Sequence, residues 1–286
     1  VDPELFENGR LQKVSGYVTD LLTDRALGFI RGQRGAKRPY FLHLAHKAVH
    51  PDAIQRNDGS LDTTYGARYI AAERYRGSYQ NEIFPRSKIA KSAAQGALGS
   101  VMVQRFLERK QTDATVREFG AMLEPGMSEQ SIRDRAEMIL SVDESMGHIL
   151  AELEESGAID NTLIMFTSDN GFFFGEHGLS IERRLPYEES VRAPLLVRHP
   201  PTVAPAITID ALVSSIDIAP TILQFSGAKI GEQIQGISFL PLLTRAGART
   251  TKRASVLIEN FSDDRPYPWV LDADYKAIRT DRHKLI

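Results

Sequence analysis

Two short polar clusters in this sequence carry groups able to do chemistry. The first is His46-Lys47-Ala48-Val49-His50-Pro51. Its imidazoles stand four residues apart, the spacing that shares one face of a helix. Lys47, however, sits where a helical zinc protease needs the Glu of His-Glu-x-x-His. With no general base between the histidines, metalloproteolysis drops out. Two readings stay open: a histidine acid near a bound anion with the Lys47 ammonium beside it, or a loop pair satisfied by backbone groups. The second cluster is Ser168-Asp169-Asn170-Gly171. A carboxylate and an amide oxygen are hard donors that suit Ca2+ or Mg2+, and a glycine lets the backbone come close. The same letters are also good turn chemistry. Farther on stand His177 and the pair Arg183-Arg184. The arginines either clamp an oxyanion such as sulfate or phosphate or form a solvated surface pair. The run Phe172-Phe173-Phe174 reads as core packing, and Asn260-Phe261-Ser262 is a weak glycosylation sequon.

These clusters follow apolar runs that predict strands. Tyr40–Ala45, apolar except for His43, and Thr162–Thr167 both read as short strands covered on two faces. In an open α/β sheet, ligands gather beyond the carboxyl ends of such strands. Residues 20–33 read as a helix stopped by Gly35, and segments 66–77 and 86–110 also look helical. The Leu123–Gly126 stretch is a break. A long amphipathic helix then runs from Ser128, its N-cap, to Gly157, with Ile132, Ala136, Ile139, Val142, Met146, Ile149 and Leu153 as its apolar stripe. Pro194–Arg198 is a third strand, and Asp217 is the expected N-cap of a helix over 218–225. Strands at 254–259, 275–280 and 283–286 form an antiparallel tail.

Composition narrows the classes. A length of 286 residues suits about two domains. Lys+Arg of 35 against Asp+Glu of 37 gives a net charge of −2, which supplies no basic field for nucleic acid or anionic lipid. The absence of cysteine excludes disulfides, thiolate metal sites and a thiol nucleophile within this chain. No apolar run is long enough to cross a membrane as a helix.

Taken together and in order, several segments resemble the sulfatase family of the alkaline-phosphatase-like superfamily. They are Gly16–Asp24, Pro39–Pro51, Val142–Ser145, Asp160–Leu179, Tyr187–Pro194, Val213–Leu223 and Tyr275–Ile286. The resemblance covers nearly the whole chain except roughly 55–125. It implies an α/β fold, a mixed and mainly parallel sheet with helices on both faces, incomplete, plus part of a small C-terminal antiparallel sheet. The implied division is a later portion of the catalytic domain at 1–245 and a partial subdomain at 246–286.

Carried over residue by residue, the resemblance makes Asp169 and Asn170 the later pair of metal ligands, for Ca2+ or Mg2+. It makes His50 the histidine that assists at the ester oxygen. Arg183, four before Tyr187, stands where many members carry a lysine that holds the sulfate. His46, Lys47 and His177 fall beside substrate. The implied activity is hydrolysis of sulfate monoesters on a small molecule or carbohydrate. The implied alternatives are a phosphonate or phosphate monoester hydrolase of the same superfamily, or a non-catalytic, truncated sulfatase-like module. The family's earlier Asp pair and its formylglycine segment have no match here. The expectation is therefore a later part of a sulfatase, inactive alone, binding Ca2+ weakly, and prone to self-association through an exposed sheet edge. Relatives are often periplasmic, secreted or lysosomal.

Overall fold

The computed structural model describes residues 3–52, 68–87, 128–177, 179, 185–244, 253–261 and 274–286. Expectations for 86–110, for the break at 123–126 and for Arg183 fall wholly or mostly outside these residues. So does the boundary expected at 245/246. The described residues group into two compact units, one drawn from Val1–Ile159 and Phe172–Glu182, the other from Asp160–Gly171, Arg183–Pro266 and Leu271–Ile286.

The first unit is organised by two helices. A hairpin precedes them: β1 (Glu4–Glu7) pairs with β2 (Arg10–Lys13), and Asn8 and Gly9 both take positive φ, the turn that matches strand twist. Helix α1 is Val18–Gly32 and α2 is Glu129–Glu155. Ser128 caps α2 as expected, its hydroxyl accepting from the Ser131 amide at 3.0 Å. Gly157, at φ +68°, ends it, with the Ala158 amide donating to the Leu153 carbonyl at 2.8 Å. The buried face of α2 differs in phase from the expected stripe. Ile139 is 48% exposed, while Ser141, Ser145 and Glu152 are buried beside Ile132, Met138, Val142 and Leu153. The reason lies on α1, which presents the small residues Thr19, Thr23 and Ala26, and small facing residues let two helices approach closely. The Thr23 and Ser145 hydroxyls meet at 2.7 Å. Farther along, Arg31 and Arg34 both donate to the buried Glu152 carboxylate, at 2.8 and 2.9 Å. Burial alone would raise the Glu152 pKa, but these two guanidinium bonds outweigh it and hold the carboxyl below its ordinary range.

Two expected elements of this unit take another form. Tyr40–Ala45 is extended but joins no described ladder. Tyr40, Leu42 and Leu44 are half-buried while Phe41, His43 and Ala45 are exposed, so the run is covered on one face rather than two. The helix expected at 66–77 is, in its described residues, extended chain with one 3-10 turn at Glu73–Tyr75. Arg68 is bridged to Asp52, and Tyr69, Ala71 and Ala72 are buried in the extended stretch, so tertiary contacts override local propensity.

In the second unit β3 (Ile164–Thr167) pairs antiparallel with β4 (Leu195–Arg198), Met165 opposite Val197. Among the described residues every ladder is antiparallel, the arrangement of an edge pair in a mixed sheet. A short helix α3 (Glu188–Val191) precedes β4. Helices α4 (Ile218–Phe225) and α5 (Leu240–Leu243) follow. Val203, Phe239, Leu242 and Leu243 form the core, against which Met165, Leu195 and Val197 pack. Each such side chain contributes about 1.5–3 kcal/mol on full burial. Asp217 stands at the N-cap position of α4 as expected, but its side chain makes no capping bond to that helix. Its backbone is already helical, and its carboxylate instead accepts from the Ser214 and Ile237 amides at 2.8 and 2.7 Å and from Arg253 at 2.5 Å. Three donors meet a carboxylate that is only 2% exposed, so its burial is compensated by hydrogen bonds. The expected tail is present as β5 (Val256–Asn260), β6 (Tyr275–Arg279) and β7 (Lys284–Leu285), one antiparallel sheet in that order.

Candidate active site

The loop after Tyr40–Ala45 belongs to the first unit and is pinned along its length. The His46 Nε2 lies 3.0 Å from the Ser145 hydroxyl of α2. Ala48 and Val49 pack on a cluster of Tyr69, Ala71 and Met138. The His50 amide donates to the Lys47 carbonyl at 2.8 Å, closing a turn. Asp52 then pairs with Arg68 through two backbone bonds. Between these fixed points Lys47 and His50 are exposed. The Lys47 ammonium is 3.9 Å from Asp52, a loose exposed pair of little energetic weight.

The two histidines differ in kind. His50 lies with Nδ1 2.8 Å from the Pro51 carbonyl. A carbonyl only accepts, so Nδ1 carries the proton and the lone pair of the neutral ring lies on Nε2. His46 is half-buried, and burial lowers its pKa although Asp20 opposes this. Its ring is therefore neutral near pH 7.

The turn after β3 belongs to the second unit and is held by one main-chain bond and by short side chains bonded to main-chain groups. The Thr167 hydroxyl donates to the Pro194 carbonyl at 2.7 Å, and the Ser168 hydroxyl to the Asn170 carbonyl at 3.1 Å. The Gly171 amide donates to the Ser190 carbonyl at 2.7 Å. A Cβ at Gly171 would fall inside the van der Waals shell of the Glu189 carbonyl oxygen, so only glycine fits. One oxygen of Asp169 accepts from the Asn170 amide at 2.8 Å, and the Asn170 side-chain amide donates to the Gly171 carbonyl at 2.7 Å. These bonds engage one Asp169 oxygen and the Asn170 side-chain nitrogen. The cluster is a tight turn, and the Asp169 and Asn170 side chains bring a carboxylate and an amide oxygen to it. That donor set fits Ca2+ or Mg2+ but fills only part of a shell of six or more oxygens. Among the described residues no group of three or more His, Cys, Asp or Glu side chains stands ready to hold a metal.

Phe173 is fully buried, as expected of the aromatic run. Phe172 and Phe174 instead face the buried Arg135 guanidinium, at 3.6 and 5.1 Å from their ring centroids, with Tyr69 at 5.0 Å. His177 follows at φ +57°, a left-handed conformation uncommon outside glycine, and its ring stands edge-on to Phe173. Arg135 and Ser145 escape a reading by hydrophobic periodicity, since both are polar residues on a buried helix face. The one signal for Ser145 is the four-residue spacing of Ser141 and Ser145, matched by Thr19 and Thr23.

A family model described as Sulfatase matches residues 3–228, and one described as N-sulphoglucosamine sulphohydrolase, C-terminal, matches residues 175–286. The chain is similar to an N-acetylglucosamine-6-O-sulfatase of Bacteroides thetaiotaomicron, 30% identical over 281 residues that cover 86% of this chain and 49% of that protein. It thus spans about half the length of that curated relative. A solved structure of a protein in complex with its substrate D-glucosamine-2-N,6-O-disulfate matches with a TM-score of 0.69 at 25% identity, covering 99% of this chain and 63% of that one. A phosphonate monoester hydrolase of Agrobacterium radiobacter matches with a TM-score of 0.68 at 20% identity, covering 94% and 53%. At that identity the second likeness speaks to the fold alone. A sulfatase model that spans most of its residues, strands and both polar clusters included, makes this chain a member of the sulfatase family.

Proposed function

We propose that the protein is a sulfuric ester hydrolase whose substrate is a sulfated sugar of the glucosamine type. The observation that carries this reading is the loop His46–Asp52, which presents one exposed histidine with its Nδ1 proton committed to the Pro51 carbonyl. Such a histidine can hold a proton on Nε2 and release it to a leaving sugar oxygen as the ester bond breaks. Lys47, three residues before it, supplies a compact positive charge for the non-bridging oxygens of the sulfate, and Arg183 supplies a second. His177 flanks the substrate, and His46 lies in the loop that carries Lys47 and His50. Asp169 and Asn170 would hold a Ca2+ or Mg2+ ion, which when bound polarises the sulfate. The nucleophile expected by resemblance, a formylglycine, has no cysteine precursor among these 286 residues. The names of the B. thetaiotaomicron relative and of the disulfated glucosamine complex support the substrate class.

The test is a parallel assay of the purified protein with an aryl sulfate, an aryl phosphonate monoester and glucosamine 6-sulfate, each with Ca2+ and with chelator. Preference for the sulfates, lost in chelator, supports the reading. Preference for the phosphonate would move the protein to the other branch of the superfamily.

A further inference from the structure

The hydroxyls beneath His46 form a chain with a direction. The Thr23 Oγ1 is 2.7 Å from the Thr19 carbonyl and 2.7 Å from the Ser145 Oγ, which is 3.0 Å from the His46 Nε2. Each hydroxyl has one proton to give. The Thr19 carbonyl only accepts. If Thr23 donates to it, Ser145 must donate to Thr23, and Ser145 then accepts from an Nε2–H of His46. The opposite order is Thr23 to Ser145 to a bare Nε2, which puts the ring proton on Nδ1. That atom is buried with no hydrogen-bond partner among the described residues. An orphaned buried N–H is a rarer and costlier defect than an acceptor left without a donor. The first order is the one the site can sustain.

We infer that Ser145 and Thr23 are positioning residues for the loop that carries Lys47 and His50, holding His46 as its Nε2–H tautomer and tying the loop to the α1–α2 pair. This rests on the sulfatase reading for its functional meaning, and on unit-one geometry alone for the tautomer. It also sharpens the role of His46. One ring nitrogen is spent on Ser145 and the other is enclosed, so the ring acts on the loop rather than on the substrate. The buried, neutral ring fits this anchoring role, since protonation would create the orphaned Nδ1–H. Ser145 stands 99 residues from His46 in the chain, and Thr23 stands 122 from Ser145. Each is fixed within its own helix, so the loop inherits the rigidity of two helices rather than that of its own turn.

Two-bond 1H–15N correlation spectra of the 15N-histidine-labelled protein read the tautomer directly, with His46→Gln identifying the signal. The expected result is one neutral Nε2–H species at pH 7 to 8. Ser145→Ala and Thr23→Val should each abolish that single tautomer and raise amide hydrogen exchange across residues 46–52 by about five- to tenfold, the worth of one hydrogen bond. Thr23→Ser, which keeps the hydroxyl, should retain both signatures. A wild-type Nδ1–H tautomer overturns the inference, as does an unchanged tautomer and unchanged exchange in Ser145→Ala and Thr23→Val. Neither readout needs turnover. Aryl sulfate hydrolysis by the wild-type protein tests the sulfatase reading separately. Where turnover is present, Ser145→Ala should lower kcat about 10- to 100-fold with KM little changed, the signature of misplacement rather than lost contact.

Discussion

The loop His46–Asp52 and the turn Ser168–Gly171 are both short polar segments that follow an apolar run, yet they are held by different means. The loop is fixed by side chains: an imidazole on Ser145, and Ala48 and Val49 on Tyr69, Ala71 and Met138. Its supports come from helices and extended chain remote in sequence. The turn is fixed on main-chain groups, with the Gly171 amide on the Ser190 carbonyl and the space at Gly171 closed by the Glu189 carbonyl. Two chemical tasks explain the difference. Proton transfer needs an imidazole aimed to within a hydrogen bond, and aim can be tuned by packing. A hard cation needs oxygens at fixed spacing, which a tight turn bonded to main-chain carbonyls supplies.

This contrast can be broken by substitution. His50→Ala should leave the melting temperature unchanged and cut kcat for a sugar sulfate by about 10²–10⁴-fold, the usual worth of a general acid. The loss should be smaller for an aryl sulfate, whose leaving group needs less protonation. Equal losses on both substrates would remove His50 from the acid role. Met138→Ala touches no ligand, but it empties the cluster under Ala48 and Val49. It should destabilise by about 2–5 kcal/mol in a urea melt and lower kcat beyond the folded fraction. Gly171→Ala should cost about 1–3 kcal/mol through overpacking against the Glu189 carbonyl and weaken the response of the melt to Ca2+. A Met138→Ala protein with normal kcat would show that the loop holds itself.

The sequence is most legible where one signal decides an element. The α2 helix has a serine cap, a glycine stop and a helical period, and its ends agree with expectation to within two residues. Its buried face is less legible, because Ser141 and Ser145 face small residues of α1 and a hydrophobic count cannot see a polar helix seam. Asp217 shows the same blindness. A carboxylate before an apolar helix reads as a cap, and only the fold brings Ile237 and Arg253 to it. Tyr40–Ala45 reads as a doubly covered strand because all but one of its residues are apolar, but coverage depends on what lies against it. The two polar clusters are legible as residue types and as segments of a family pattern. The hydroxyl chain beneath His46 is not, since its members lie about a hundred residues apart.

The smallest effect tests how far the turn depends on a side chain. The Thr167 hydroxyl donates to the Pro194 carbonyl at 2.7 Å, a side-chain bond that joins the end of β3 to the chain entering β4. Thr167 is exposed, so water can replace the lost donor. Thr167→Val keeps the β-branched shape and should therefore cost only about 0.5–1.5 kcal/mol in a thermal melt. Main-chain pairing of Thr167 with Leu195 remains, and so does the Gly171 amide bond. Asp169 and Asn170 should keep their spacing, and the Ca2+-dependent rise in melting temperature should match that of the wild type. A lost Ca2+ response in Thr167→Val would mean that side chains hold this turn as they hold the loop, and the contrast between the two segments would dissolve.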